Sequence, residues 1–151
     1  SNRIDIEVHT DIDRLIRVSS LHHGKNDRNR YDILHKLWVE IASRNRGRIM
    51  SAVDPWSRDI AACVVIWDAR KAYYWLSARR DDDLGRKANP VLIFEALSLA
   101  KQMKLDFDAD GYATLESGRF LSKLGLPVAL QATVEKSSNV YRILKPIKEY
   151  F

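Results

Sequence analysis

Hydrophobic residues recur along the chain with two different spacings, and these spacings separate predicted strands from predicted helices. Residues 3–8 alternate between polar and apolar side chains, which predicts a short, half-buried strand. Apolar residues three and four positions apart then predict two helices, one around Ile12 and Leu15 and one around Leu34 and Trp38. The polar residues 21–30 are expected to form the loop between these helices. Gly47 is expected to end the second helix.

The middle of the chain changes to short apolar runs separated by polar turns. Residues 48–53, 60–67 and 72–78 are predicted strands, joined by turns at residues 54–59 and 68–71. The run 60–67 carries no charged residue, so it is expected to lie at the centre of a sheet. The even spacing of the three runs predicts an antiparallel meander.

A long helix and a further strand are predicted next. Asn89 is suited to cap the helix and Pro90 to occupy its first position, so the helix is expected over residues 91–104. Its polar stripe is narrow, which indicates deep packing against a sheet; the stripe consists of Glu95, Ser98, Lys101, Gln102 and Lys104. Residues 105–110 then predict a strand parallel to 72–78, because a helix joins the two.

The C-terminal pattern predicts one more helix and a hairpin. Residues 114–124 form the predicted helix, which Gly125 and Pro127 end, and residues 128–134 and 140–144 form the predicted hairpin. The element order is therefore β-α-α-β-β-β-α-β-α-β-β. It predicts an α/β fold with a mixed, mainly antiparallel sheet flanked by helices. Because no repeat or linker divides the chain, residues 1–151 are expected to form a single domain.

Composition is that of a globular protein, with 46% hydrophobic and 30% charged residues. The longest apolar run has eight residues, Ile60 to Trp67, well short of the roughly 18 that a membrane span needs, so no membrane association is expected. No secretory leader is visible, which predicts a cytoplasmic location. The sequence begins with Ser1 and Asn2 and not with Met, so residues 1–151 are expected to form the C-terminal part of a longer chain.

The formal net charge of +5 and the pI near 9.4 favour an anionic partner such as nucleic acid, a phosphorylated cofactor or a cell-wall polymer. Cys63 is the only cysteine, which excludes an intramolecular disulfide and a cysteine zinc cluster. It lies within an apolar run, so it is expected to fill the core rather than to act as a nucleophile.

Four segments in a fixed order resemble one known superfamily. The order of elements is similar to that of GNAT-type N-acetyltransferases, and the closer likeness is to FemAB-like proteins, which join two such halves in one chain. The segments are residues 73–78 (YYWLSA), 89–96 (NPVLIFEA), 107–111 (FDADG) and 119–125 (RFLSKLG). The likeness implies acyl or aminoacyl transfer to an amine, and a preceding GNAT-like domain in the same chain.

The resemblance also implies where a donor would bind. Acetyl-CoA or another acyl-CoA would lie along the fourth strand, with its diphosphate at the following loop; FemAB-like enzymes use aminoacyl-tRNA instead. The implied donor-binding residues are Leu76, Ser77, Ala78, Arg79, Arg80, Gly85, Arg86, Lys87 and Asn89. The loop departs from the usual Gln/Arg-x-x-Gly-x-Gly/Ala pattern. It has one glycine, and Asp82 stands where Gln or Arg is usual. Three successive aspartates would repel a diphosphate, whereas the flanking arginines would attract it.

Candidate catalytic residues lie at the C-terminal end of the predicted fifth strand and just after it. Asp108 and Asp110 are two residues apart and therefore share a face, so either carboxylate could accept the proton of an attacking amine. Tyr112 could protonate the leaving group. A backbone N–H within residues 76–78, where the strands separate, would stabilise the oxyanion. The alternative is that both aspartates only form the turn at Gly111 and that Tyr112 is a packed surface aromatic.

Two other functions remain open from the residues alone. One is a catalytically inactive GNAT-like half that serves as a binding or structural module. The other is a basic nucleic-acid-binding module, for which Arg44, Arg46 and Arg48 are the candidates. His22 and His23 are expected to be solvated loop residues, so no metal site is predicted. The donor, acceptor and oligomeric state are not determined by these patterns.

Overall fold

A computed structural model describes residues 3–23, 28–109 and 115–126 of the 151-residue chain. The chain divides into two compact units, Ser1–Ala113 and Thr114–Phe151. The described elements of the first unit are β1 (Asp5–His9), α1 (Ile12–His23), α2 (Arg28–Ser43), β2 (Gly47–Val53), β3 (Asp59–Trp67), β4 (Lys71–Arg79), α3 (Asp83–Gln102) and β5 (Asp106–Asp108). The second unit contains α4 (Leu115–Lys123).

The five strands form one sheet in the order β1-β2-β3-β4-β5. The first four pair antiparallel, and β4 pairs with β5 in parallel. The predicted meander and the predicted parallel pair are therefore confirmed. β3 is central, and seven of its nine residues are buried, with Asp59 and Ile66 partly exposed. The described elements follow the predicted order, so the mixed, mainly antiparallel α/β architecture is confirmed.

Helices cover both faces of the sheet. On one face, α1 and α2 pack on a cluster that includes Ile12, Leu15, Trp38, Ile49 and Val64. On the other, α3 contacts β2, β3 and β4 through its buried residues, which are Gly85, Ala88, Leu92, Ile93, Ala96 and Ala100. The spacing of these residues places them on one helical stripe. The deep packing predicted for this helix is confirmed, although Phe94 on its outer side is 63% exposed.

The first helical segment is longer than predicted. Residues 21–30 were expected to form a loop, but α1 runs to His23 and α2 begins at Arg28. Nothing in the sequence before Gly24 breaks a helix, so polarity alone was a poor guide. Gly47 was expected to end α2, and this is wrong. Asn45 ends it in a left-handed conformation (φ 51°), and the N–H groups of Asn45 and Arg46 donate to the carbonyls of Ala42 and Ile41 at 3.0 Å.

Gly47 has a different role, as the first residue of β2. A Cβ atom there would lie 2.6 Å from Ile41 Cγ2 and 2.8 Å from Trp38 Cζ3. The glycine therefore lets the strand approach α2 closely.

Arg14 ties α1 to the sheet. Its Nε lies 3.0 Å from Asp59 Oδ1 and 3.1 Å from Oδ2, its Nη2 lies 2.5 Å from Oδ1, and its Nη1 lies 2.7 Å from Glu7 Oε2. The Arg14 and Asp59 side chains are only 16% and 14% exposed. The Asp59 hydrogen bond raises the pKa of Arg14 further above its already high value. One guanidinium thus joins α1, β1 and β3.

The second unit contributes one described helix. α4 is followed by Gly125 in a left-handed conformation (φ 71°), whose N–H donates to the Ser122 carbonyl at 3.1 Å. This agrees with the predicted end of the helix. The predicted hairpin at 128–134 and 140–144 lies outside the described residues. None of the helices in the described part of the chain has the length and apolar character needed to cross a bilayer.

Candidate functional site

The turn between β4 and α3 is closed by the side chain of Asp82. Asp82 is the N-cap of α3, and its Oδ1 accepts a hydrogen bond of 2.8 Å from the Gly85 N–H. The Arg86 N–H donates to the Asp82 carbonyl at 3.0 Å. The Gly85 N–H and the Arg80 guanidinium lower the pKa of Asp82, so it is ionised at neutral pH. A negative charge of the chain itself therefore sits where a helix N-terminus would hold a phosphate.

The arginines of this turn are paired with its aspartates. Arg79 lies 3.7 Å from Asp81, and Arg80 lies 2.5 Å from Asp82. Arg86 lies 2.5 Å from Asp83 and 3.8 Å from Asp81. The cations expected to attract a diphosphate are thus neutralised within the turn. Lys87 is exposed on α3.

Backbone also fills the space beside the single glycine. A Cβ atom on Gly85 would lie 2.1 Å from the Arg80 carbonyl oxygen and 2.9 Å from its carbon. In a phosphate-binding loop a glycine leaves room for the ligand, whereas here that room holds the Arg80 main chain. These residues do not fit a diphosphate in the usual cradle.

Two of the residues expected at the start of the helix lie away from its N-terminus. Asn89 was predicted to cap the helix and Pro90 to begin it, but α3 begins at Asp83 and both lie inside it. Pro90 supplies no N–H to the Arg86 carbonyl, yet the helix continues through it. The buried small residues Gly85 and Ala88 extend the packed stripe toward the N-terminus, and Asp82 replaces Asn89 as the cap. Asn89 therefore has no place at the expected cradle.

In the described part of the chain, no strand pairs with the carboxyl half of β4 on the side away from β3, and this side is called the open edge of β4. β5 pairs only with Lys71, Ala72 and Tyr73. Beyond these, the Arg80 N–H donates to the Ile60 carbonyl at 2.8 Å. Because antiparallel bonds alternate along a strand, the main-chain groups of Ser77 and Arg79 point away from β3. They face the side that β5 has left.

Residues 76–78, the segment expected to bind the donor, include both core and exposed side chains. Leu76 and Ala78 pack against the cluster under α1 and α2, and their main chains pair with Val64 and Ala62 of β3. The Ser77 side chain is exposed. Trp75 is the extra residue where the β3–β4 register shifts. Within this segment, the Ser77 main chain faces the open edge, because its neighbours Leu76 and Ala78 pair with β3.

Asp108 lies at the closed end of the opening beside this edge of β4. It is the last residue of β5 and pairs in register with Tyr73. Its Oδ2 lies 3.6 Å from Lys71 Nζ, and the carboxylate adds to the effects that raise the pKa of Tyr73, of which the hydrogen bond to Asp68 at 2.9 Å is the largest. Asp110 and Tyr112, the other candidate catalytic residues, lie outside the described residues. The described structure therefore brings Asp108 to the same edge of β4 as Ser77, but four residues along.

Sequence reasoning missed a buried polar pair beside the opening. Tyr74 is 8% exposed, and its hydroxyl forms no hydrogen bond of acceptable geometry with the described residues. The Cys63 thiol and the Ser77 hydroxyl nevertheless lie near enough to affect the pKa of Tyr74. Burial raises the pKa of Tyr74 well above its usual value and raises that of Cys63 to about 12. Cys63 is therefore an unreactive core residue at neutral pH, as expected.

Removal of the Tyr74 hydroxyl is expected to stabilise the protein. Tyr74→Phe deletes a buried group that lacks a partner among the described residues, so the free energy of unfolding should rise by about 1 kcal/mol in urea denaturation. Tyr73→Phe is the matched control, because its hydroxyl donates to Asp68; it should not stabilise. A loss of stability in Tyr74→Phe would show that the hydroxyl has a partner.

The basic residues proposed for nucleic-acid contact are engaged by the chain itself. Arg44 lies 3.2 Å from Glu40, and Arg46 donates to the Asp68 carbonyl at 3.3 Å. Arg48 donates to Asn45 Oδ1 and stacks over Trp67 at 5.5 Å. Each of the three guanidiniums therefore has a partner within the described part of the chain. Within the described ranges, no group of three His, Cys, Asp or Glu residues is arranged to hold a metal ion.

Solved structures share this architecture. A predicted acetyltransferase from Clostridium acetobutylicum, solved with acetyl-CoA, aligns with a TM-score of 0.69 at 10% identity, over 89% of this chain and 96% of that one. An aminoglycoside antibiotic 6'-N-acetyltransferase from Acinetobacter baumannii aligns with a TM-score of 0.66 at 12% identity, over 90% and 99%. Glucosamine-6-phosphate N-acetyltransferase from Arabidopsis thaliana aligns with a TM-score of 0.64 at 13% identity, over 90% and 99%.

These likenesses show that the chain has the GNAT-type N-acetyltransferase fold. The sequence matches no model of a known protein family and no curated protein. The closer resemblance to FemAB-like proteins stays a prediction.

Proposed function

We propose that this chain is an acyltransferase domain, which moves an acyl or aminoacyl group from an activated donor to an amine. The observation that carries this is the open edge of β4, which adjoins the turn into α3 in a GNAT-type fold. Structures with this fold include one solved with acetyl-CoA and one with a CoA bisubstrate analogue, which supports a thioester donor.

The donor would bind as an extra strand beside β4. The main-chain groups of Ser77 and Arg79 face the opening and can pair with the amide groups of an extended arm. The closed end at Tyr73 and Asp108 would then receive the acyl group. From Tyr73 to Ser77 the strand covers on the order of 10 Å, so Asp108 and the Ser77 N–H would contact different parts of the donor.

Asp108 would act as the general base. The amine nitrogen attacks the acyl carbon and forms the C–N bond, while the bond from that carbon to the donor's sulfur or oxygen breaks. The amine proton passes to the Asp108 carboxylate, and the leaving thiolate or alkoxide takes up a proton, for which Tyr112 is the candidate acid. Lys71 Nζ lies 3.6 Å from the Asp108 carboxylate.

The resemblance to FemAB-like proteins adds finer proposals. The donor would be acyl-CoA or aminoacyl-tRNA, and the acceptor an amine on a cell-wall precursor or a small molecule. A preceding GNAT-like domain would complete the chain, and the reaction would take place in the cytoplasm. Asp110 would share the base function with Asp108.

An acyl-transfer assay on the full-length protein tests the proposal. Acetyl-CoA, acetyl-pantetheine and charged tRNA are offered with a panel of amines, and Asp108→Asn is expected to lower kcat by about 100-fold or more. Asp106→Asn is the matched control, two residues earlier on the same strand; it should keep kcat within about threefold, since Asp106 is exposed and lies below the opening. Thermal melting of both variants checks that they fold.

A second function is favoured by the paired charges of the β4–α3 turn. If the chain is an inactive GNAT-like half, its turn needs no free cations, and Arg79, Arg80 and Arg86 are indeed paired with aspartates. Absence of transfer with every donor, or equal rates for Asp108→Asn and wild type, would contradict catalysis and support this binding or structural function.

A further inference from the structure

The region where a GNAT-type domain would meet a donor has two parts, and this chain keeps only one of them available. Among the described residues, no strand pairs with the open edge of β4 along Ser77 and Arg79. At the N-terminus of α3, the Asp82 carboxylate occupies the Gly85 N–H at 2.8 Å. The edge of β4 could therefore bind the extended arm of a donor, whereas the N-terminus of α3 could not bind its diphosphate.

We propose that Asp82 is a specificity-determining residue of the donor site: its carboxylate occupies the N-terminus of α3 and excludes donors that place a diphosphate there. This inference rests on the proposed function. The donor class it selects is an activated acyl group on an amide-bearing arm, recognised along β4 without a diphosphate in the turn.

Charge is the first argument for exclusion. The turn and first helical residues carry four cations (Arg79, Arg80, Arg86 and Lys87) and three carboxylates (Asp81, Asp82 and Asp83), a net charge of four minus three, or +1. The three arginines are already paired with these carboxylates. A diphosphate would have to displace a carboxylate from the helix terminus and separate at least one of these pairs. It would gain little, because the N-cap hydrogen bond it could make is already made.

Space is the second argument. The Arg80 carbonyl oxygen lies 2.1 Å from where a Gly85 Cβ would stand, so main chain covers the surface of the one glycine. The Arg80 guanidinium also lies 2.5 Å from Asp82, which holds the carboxylate in place from its other side. Asp82 is thus fixed by a main-chain donor and a cation together.

The test compares two single-carboxylate variants by calorimetry with ADP, coenzyme A and pantetheine. Asp82→Ser removes the charge but keeps a capping oxygen, so the helix should remain formed. Asp81→Ser is the matched control, because it removes the same charge from the turn and leaves the Asp82 cap untouched. Thermal melting confirms that both variants are folded.

We expect wild type to bind coenzyme A and pantetheine with affinities within about threefold of each other, and to bind ADP with a Kd weaker than about 1 mM. In Asp82→Ser, the loss of the carboxylate charge and the release of Arg80 should strengthen ADP and coenzyme A binding by at least about tenfold. In Asp81→Ser, the change should stay below about threefold.

Three results would overturn the inference: wild type binding coenzyme A more than about 100-fold tighter than pantetheine, equal gains in the two variants, or no gain in Asp82→Ser. The ADP measurements involve no acyl transfer. They decide the role of Asp82 even if the transfer assay with Asp108→Asn contradicts the proposed function.

Discussion

Arg14→Met is expected to lower the free energy of unfolding by about 3 kcal/mol, because it leaves Asp59 charged and largely buried without its main partner. Arg14 makes three contacts of 2.5–3.1 Å with Asp59 and one of 2.7 Å with Glu7. Methionine keeps the apolar part of the side chain, so the decrease in the free energy of unfolding measures the loss of the charged contacts. Urea denaturation with a constant m-value measures it.

The control for this prediction is a surface pair of the same type. Arg44 and Glu40 are 74% and 67% exposed, so Arg44→Met should change stability by less than about 0.5 kcal/mol. A second variant, Arg14→Met with Asp59→Asn, should recover part of the loss, because the stranded charge is removed. A loss below about 1 kcal/mol in Arg14→Met would show that this network does not hold α1 to the sheet.

Gly85→Ala is expected to destabilise the protein by about 2 kcal/mol, although alanine is the better helix former. The new methyl group would lie 2.1 Å from the Arg80 carbonyl oxygen, so the turn must move away from α3. The Asp82 cap at Gly85 should weaken with it. Denaturant unfolding measures the loss, and a crystal structure of the variant should show a displaced Arg80.

Lys87→Ala is the comparison within the same helix. Lys87 is exposed, so its removal should change stability by no more than about 0.5 kcal/mol. If Gly85→Ala instead raised stability by about 1 kcal/mol, helix propensity alone would account for the position. That result would contradict the close approach of the Arg80 carbonyl to Gly85.

The candidate site was only partly predictable from the residues. The single glycine and the aspartates of the turn were visible as a departure from a phosphate-binding loop, and Asp108 was correctly placed at a strand end beside β4. The helix start was wrong by seven residues, since Asp82 and Asn89 are both good caps and Pro90 favoured the second. What decided between them was burial of Gly85 and Ala88 against the sheet, which local preference does not report.

The position of the buried Tyr74 hydroxyl was also not predictable from local sequence preference. Its strand was predicted, but the register shift at Trp75 decides which of its residues face α3. A shift of one residue exchanges the two faces of a strand. The signal that could have found this position is the run of three aromatic residues, Tyr73 to Trp75, which cannot all alternate cleanly between a core and a surface.

Periodic and local patterns in the amino-acid sequence were sufficient to predict part of the fold. This part consists of the central apolar strand β3, the meander around it, and the parallel pairing of β4 with β5, which a connecting helix makes topologically favourable. Hydrophobic spacing records which face of an element is buried, and the removal of apolar surface from water is the dominant force that holds the sheet and its helices together.

The role of the turn before α3, in contrast, depends on contacts that form only in the folded chain. Whether Asp82 repels a ligand, caps a helix or pairs with Arg80 depends on distances between groups that adjoin only after α3 has packed on the sheet. Hydrogen bonds form only at donor–acceptor distances of about 3 Å, and sequence spacing does not encode such distances. The three aspartates that were ambiguous as a pattern all pair with arginines in the folded chain, and Asp82 also caps α3.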